Sequence, residues 1–467
     1  MNRNVLNLEC VAELQQIAEA AAAEHLCPSI SWGVVADGAL AHHGAVGTLN
    51  DGSSPTADTV YRIASMTKSF TAATVLALRD EGVWSLDDPV ARYAPELSTV
   101  VGPPGSPPIT LRHLLSMASG LATDDAWADR HLDITGPEID AIYADRPAFA
   151  RVPNAAYEYS NLGYAMIGRA IERATGRRAQ QHITDRFLQP LALNDTTWIQ
   201  PDHDNWARPY RAQDGKSVRD MPDPIGDGDL APMGGLWTTV ADLAKWVAWF
   251  DSANSRPEQD DAIGLSTASR REMQRIHTYI GIMTVADRAC PAGYGFGLNV
   301  RDDAELGTIV AHAGGLPGYG SNMRWFAGRG VGAIALSNTT YGQMSVLTMR
   351  LLTALHKHGA VPSTPAVVAP AWEQAATRLL ALLNNWDDAV AFELFEDNIV
   401  LDDSFERRQA EAAALIAKHG TLHITAMRPT SAANGEFDAS GNSKALCIYV
   451  GLSPARAGAI AEYAIDE

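Results

Sequence analysis

Three short stretches of this chain carry residue types that can perform acyl transfer. The first is Ser65-Met66-Thr67-Lys68, at the head of a run that reads as a helix. Residues i and i+3 of a helix share a face, so Ser65 and Lys68 point into the same space. A serine hydroxyl is a weak nucleophile until a base stands beside it. Lysine serves as that base once burial or a nearby cation lowers its pKa. The backbone N–H of Ser65, at a helix N-terminus, can face a developing oxyanion. Taken alone, Ser-x-x-Lys is common, and a capping serine beside a solvated lysine is the ordinary explanation. The neighbours argue otherwise. Ile63, Ala64, Met66, Phe70, Ala72 and Ala73 make an apolar setting, in which an unpaired lysine is costly.

The second stretch is Tyr159-Ser160-Asn161, just before another helical run. Tyr159 can take or give a proton if Lys68 lowers its pKa, and Asn161 can donate to a substrate carbonyl. The competing reading is a helix cap by Ser160 or Asn161 beside a core tyrosine. The third is "HAGG", His312 to Gly315. A metal site is disfavoured, because no His-x-x-x-His or His-Glu-x-x-His accompanies it. A Ser-His-Asp triad lacks the Gly-x-Ser-x-Gly elbow around Ser65.

These residues need a scaffold. "SISWGVVADGALAHHGAVG" alternates around Asp37-Gly38 and predicts a hairpin. "SMTKSFTAATVLALRDEG" predicts a helix apolar on most faces, hence buried, ending at Gly82. "NLGYAMIGRAIERATG" and "TTVADLAKWVAWFDS" predict further helices. "GYGFGLNV", "GTIVAHAGG", "GSNMRWFAG" and "VGAIALSN" predict consecutive antiparallel strands, closed by the helix "MSVLTMRLLTALHKHG". The order implies an α+β type of α/β fold: an antiparallel sheet built from both ends of residues 1–359, flanking helices, and a mostly helical insert over about 85–285. The proline-containing, uncharged stretch 360–372 reads as a linker. Residues 373–467 read as a small α+β domain without a motif of its own.

Composition narrows the partners. With 36 basic and 55 acidic side chains, the net charge is −19. Phosphate backbones repel such a chain, so nucleic acid is not expected. No window approaches the roughly 20 apolar residues of a membrane span. Four widely spaced cysteines suggest free thiols rather than a disulfide framework. Glu9, Glu13 and Glu19 interrupt the N-terminal apolar residues, giving an amphipathic helix instead of a secretory leader. The expected location is cytoplasmic, or periplasmic if a leader was removed.

In this order, with the flanks "TVYRIASMTKSFTA", "ITLRHLLSMASGL" and "HAGGLPGYGSNMRWFAG", the three stretches resemble the motifs of the class C β-lactamase and penicillin-binding serine hydrolase family. That family includes DD-peptidases, D-aminopeptidases and carboxylesterases. The resemblance spans roughly residues 25–358 and implies a β-lactamase/transpeptidase-like fold. It implies Ser65 as acylated nucleophile, Lys68 as its proton partner, Tyr159 as proton shuttle and Asn161 as an orienting amide. His312 would face the cleft. The backbone N–H groups of Ser65 and Gly315 would form the oxyanion hole, with Gly314 and Tyr319 against the substrate. One departure stands out: most β-lactamases of the family carry lysine at the position of His312.

The resulting expectation is a serine hydrolase acting through an acyl-enzyme, preferably on an amide or peptide bond. It needs no cofactor or metal, and its partner is a small-molecule or short peptide substrate; a homodimer stays open. The alternatives are a carboxylesterase, a β-lactamase or DD-carboxypeptidase, or a catalytically silent binding module. Retention of Ser65, Lys68, Tyr159 and Asn161 together disfavours the last.

Overall fold

Asp37 and Gly38 both adopt positive φ, +50° and +81°, as a two-residue type I′ turn requires. They join β1 (Ser29–Ala36) to β2 (Ala39–Gly47). The computed structural model describes residues 6–219, 226–255, 263–285, 288–363, 368–442 and 445–466. Six further strands complete the main sheet: β3 (Thr278–Val285), β4 (Arg288–Tyr294), β5 (Asn299–Asp303), β6 (Gly307–Leu316), β7 (Tyr319–Phe326) and β8 (Val331–Ser337). Their order is β2-β1-β8-β7-β6-β5-β4-β3, antiparallel throughout. The N-terminal hairpin thus adds to the last strand of the run, and the sheet is built from both sequence ends.

Both sheet faces are covered. Helices α1 (Leu8–Glu24) and α5 (Met344–Lys357) pack on Trp32, Val34, Ile309, Phe326 and Ala333. The other face, with Val310, Met323, Trp325, Ile334 and Leu336, joins the larger core. That core holds α2 (Thr67–Asp80), α3 (Asn161–Thr175), α4 (Val240–Ser255) and the intervening helical segments. Central strands covered on both sides need apolar residues at consecutive positions, and every residue of β1, β7 and β8 is buried. The same logic applies to α2, buried from Thr67 through Leu78.

Two of the expected elements need correction. The last part of the insert is not helical, because 278–285 forms the edge strand β3, paired with β4 at 288–294. Pro291 and the bulge near Gly281 obscure them; Pro291 is accommodated because β5 pairs with β4 only from Ala292 onward. "GYGFGLNV" is not one strand but the end of β4, a turn, and the start of β5. The Gly295 N–H donates to the Leu298 carbonyl at 2.8 Å, with Gly297 at φ +69°. A small hairpin stands at 210–219, and residues 220–225 after it lie outside the described residues.

The chain divides into two compact units between Thr364 and Pro365. The stretch read as linker is shorter than 360–372. Ala360 and Val361 belong to the core around α1 and α5, while Pro370 opens α6 (Pro370–Asn384). The second unit packs α6 and α7 (Phe405–His419) on a four-stranded antiparallel sheet: β9 (His423–Pro429), β10 (Asn434–Ser440), β11 (Leu446–Leu452) and β12 (Ile460–Asp466). Its core is its own, centred on Trp372, Leu379, Phe437 and Ile448.

Candidate active site

Ser65 sits in a single 3₁₀ turn, Ala64–Met66, that runs directly into α2. Ala64 holds φ +49°, a strained conformation for a residue with a Cβ, of the kind stored at functional sites. The turn is pressed against β6. A Cβ on Gly314 would lie 2.1 Å from the Ile63 carbonyl oxygen and 2.3 Å from Ser321 Oγ. The Ser321 hydroxyl donates to that same carbonyl at 2.8 Å. Only glycine permits this approach of strand to turn.

Lys68 is fully buried, and each proton of its ammonium has an acceptor: Ser65 Oγ at 2.9 Å, Asn161 Oδ1 at 2.7 Å and the Met233 carbonyl at 2.9 Å. Burial lowers its pKa to about 8, against the opposing pull of Asp125, Asp129 and Asp124. The rings of Tyr159 and Tyr164 flank the ammonium, 5.0 and 5.5 Å from it to their centroids. Segment 231–236 runs beside α2, where the Pro232 carbonyl accepts from Thr71 Oγ1 and the Leu236 N–H donates to Thr67 Oγ1.

Ser160, not Asn161, caps α3, accepting from the Gly163 N–H at 3.2 Å. Asp124 completes that helix start by accepting from the N–H groups of Asn161 and Leu162 at 2.7 and 2.8 Å. Asn161 is tied at both ends: Oδ1 to Lys68, and Nδ2 to Asp125 at 2.7 Å. It is fully buried and tethers lysine to carboxylate, instead of aiming its amide at open space. Tyr159 differs from the expectation of a lowered pKa. Burial and the Asp125 charge push its phenol well above the ordinary value, only partly offset by Ser65. Lys68 meets the ring face of Tyr159. The residue is therefore a neutral phenol.

His312 is 2% exposed and committed on both nitrogens. Its Nδ1 lies 2.6 Å from the Ala313 carbonyl, which can only accept, so Nδ1 carries the proton. Nε2 then accepts from the Tyr294 hydroxyl at 2.9 Å. Burial first, and the nearby Lys68 charge second, lower its pKa to about 3. It is a neutral imidazole that holds Tyr294 in place.

These groups open on a cleft of about 400 Å³ lined by Ser65, Tyr157, Tyr159, His312, Gly314, Gly315 and Tyr341, with Asp125 and Asp129. β5 pairs with β6 only as far as Ala311, leaving 312–316 with one edge unpaired on that side. A Cβ on Gly315 would lie 2.6 Å from the Tyr341 ring, at Cδ1. Tyr319 is not in this cleft. It is buried on the Trp237 ring, and its hydroxyl donates to the Ala207 carbonyl at 2.9 Å; the substrate-contact role expected for it is withdrawn. Sequence reasoning missed Tyr294, Asp125, Asp129 and Tyr341. Asp129 is buried beneath the Tyr341 hydroxyl, which donates to it at 3.0 Å, and burial with the Asp125 charge raises its carboxyl to about 7. The only local signal was the acidic doublet Asp124-Asp125, next to a turn.

A serine at the head of a buried helix, bonded to a buried lysine and facing a strand edge, is the arrangement of a serine hydrolase. The family profile described as Beta-lactamase matches residues 14–357, and the chain belongs to that family of serine hydrolases. Among curated relatives, the D-alanyl-D-alanine-carboxypeptidase/endopeptidase AmpH of Escherichia coli K12 is 27% identical over 288 residues, covering 60% of this chain and 71% of its own. Esterase EstB of Burkholderia gladioli is 28% identical over 338 residues, covering 64% of this chain and 82% of its own. Two solved structures share the fold. An octameric penicillin-binding protein homologue from Pyrococcus abyssi has a TM-score of 0.63 and 21% identity over 95% of this chain and 96% of its own. A D-stereospecific amidohydrolase from Streptomyces sp. has a TM-score of 0.57 and 24% identity over 73% of this chain and 97% of its own. Among the described residues, no helix is long and apolar enough to cross a membrane.

Proposed function

We propose that this chain cleaves an amide or peptide bond through an acyl-enzyme on Ser65, acting on acyl donors that carry a free ammonium group, in the manner of a D-amino-acid peptidase or amidase. The observation that carries the acyl-enzyme reading is the 2.9 Å bond between Ser65 and a buried lysine whose pKa has fallen to about 8. Neutral Lys68 takes the Ser65 proton as Oγ bonds to the acyl carbon. The carbonyl oxygen becomes an oxyanion, held by the N–H groups of Ser65 and Gly315. Tyr159 gives its proton to the leaving nitrogen as the C–N bond breaks, and the Lys68 ammonium restores the phenol. Water then repeats the sequence in reverse and frees the acid. His312 and Asn161 act through Tyr294 and Lys68 and are positioning residues.

The ammonium preference rests on the cleft lining. Among the described residues it contains Asp125 and Asp129 but no arginine or lysine, and His312 is neutral. A free amine gains from such a wall, while the carboxylate of a β-lactam or of a C-terminal D-alanine is repelled. The names of the relatives span carboxypeptidase, esterase and amidohydrolase, so simple ester hydrolysis is the second activity to test.

Labelling with a fluorophosphonate followed by mass spectrometry tests the first part. The adduct is expected on Ser65 and absent in Ser65→Ala; an unlabelled parent refutes the reading. The second part needs D-alanine p-nitroanilide beside its N-acetyl derivative, with p-nitrophenyl acetate and nitrocefin as comparators. The free amine is expected to have a kcat/KM at least about tenfold higher than its acetylated form. Equal values would remove the ammonium reading and leave the acyl-enzyme intact.

A further inference from the structure

The cleft continues past Asn299, Ala313 and Ser345, which also line a second groove of about 480 Å³. This groove lies on the sheet face that carries α5. Its floor is concave because the strand residues there are small: Ala292, Gly293 and Ala311. Three arginines line it: Arg350 on α5 is paired with Glu24 at 3.1 Å, and the other two stand on strands. Arg324 on β7 pairs across from Ala311, and Arg301 on β5 pairs across from Ile309. With strands about 4.8 Å apart and their partners two residues apart along β6, they start about 12 Å from one another on either side of β6. That spacing lets both reach one group set between them.

Arg324 is only 7% exposed, yet no carboxylate of the described residues meets it. Its guanidinium has two distant neutral acceptors, Thr348 Oγ1 at 3.3 Å and the Ser345 carbonyl at 3.4 Å. Arg301 touches the sulfur of Met283 at 3.3 Å. Among the described residues, neither forms an ion pair and no carboxylate lines the groove. A scarcity of acids does not explain this, since the chain carries 55 acidic side chains against 36 basic. Burial and the charge of Arg301 hold Arg324 down to about 9, so it remains a cation at neutral pH. Two like charges facing a cavity without a counter-ion are costly; an anion between them would remove that cost.

We propose that this groove binds the carboxylate of a ligand with an apolar body. Arg324 and Arg301 donate to the carboxylate, and Ile309, Val346 and Met349 cover the body. The carboxylate has two possible sources, the distal end of a substrate reaching across Ala313 or a separate small-molecule effector. The binding experiment does not depend on the acyl-enzyme reading.

Isothermal titration of the full chain with octanoate and with neutral octanamide tests the site. Octanoate is expected to bind once per chain, and octanamide at least about tenfold more weakly. Arg324→Met and Arg301→Gln should each weaken octanoate about tenfold, with fluorophosphonate labelling of Ser65 retained as the check on folding. If Arg324→Met does not fold, the half-exposed Arg301→Gln carries the test. Absence of octanoate binding, equal binding of the amide, or wild-type affinity in Arg301→Gln would overturn the proposal. The sources separate kinetically, using p-nitrophenyl octanoate and the mono-p-nitrophenyl ester of suberate. Arg301→Gln raising KM for the suberate ester alone identifies a substrate tail. Octanoate binding that is lost in Arg301→Gln, with both esters unaffected by the substitution, identifies an effector.

Discussion

Lys68 links the two sides of the site, and its protonation decides the rate. With a pKa of about 8, it is protonated at pH 7 in about nine molecules of ten. Only the neutral amine accepts the Ser65 proton. For a neutral ester, kcat/KM should therefore rise with pH and level off above about 8, losing about tenfold per pH unit below. A flat profile from pH 6 to 9 would point to another base. Lys68→Met should lower kcat at least about 10²-fold. His312 titrates far below this range, so it contributes no limb near 6.5. His312→Lys should do two things. A second cation near Lys68 lowers the Lys68 pKa further, moving the activity limb to lower pH. The Tyr294 hydroxyl also loses its acceptor, which costs about 1–3 kcal/mol in urea unfolding. An unchanged pH profile would mean that residue 312 does not sense Lys68.

At the scale of elements, the site depends on how closely β6 meets the turn before α2. Gly314 and Gly315 are adjacent, yet their surroundings differ. Next to Gly314 a Cβ meets backbone, the Ile63 carbonyl, which cannot retreat without moving Ser65. Next to Gly315 it meets the ring of Tyr341, an exposed side chain that can swing aside. Gly314→Ala should cost about 1–3 kcal/mol of stability and abolish Ser65 labelling. Gly315→Ala should fold nearly normally by calorimetry and lose activity through obstruction of the cleft. Similar melting temperatures for the two variants would contradict this account. The same close packing recurs at the β4–β5 turn, where a Cβ on Gly297 would lie 2.6 Å from the Lys68 carbonyl. Strand, turn and helix thus converge on four consecutive residues, Ser65 to Lys68.

For the whole molecule, the division between Thr364 and Pro365 separates hydrophobic cores that share no residue. Separate cores unfold separately unless a large interface couples them. Calorimetry of the full chain should give two transitions, the smaller one matched by residues 365–467 expressed alone. One transition with coincident fluorescence and circular dichroism curves would mean that the two units unfold as one.

How much of this was legible in the sequence depended on the range of each interaction. The Asp37-Gly38 hairpin, buried α2, the cap of α3 and the Ser65–Lys68 pair follow from local rules, because turn conformation and the i, i+3 spacing act over a few residues. Three motifs in order were enough to suggest the family. Strands β3 and β4 escaped because Pro291 and a bulge break their alternation. Tyr319 could not be assigned from its neighbours: along an extended strand, one residue's shift selects the opposite face. Asn161 tied to Asp125, Tyr294 bonded to His312, and Asp129 beneath Tyr341 join residues 18 to 212 positions apart. The chain alone determined which residues can react. Only tertiary packing decided their charge, because burial and charges brought from distant segments set whether lysine, tyrosine and histidine hold their protons.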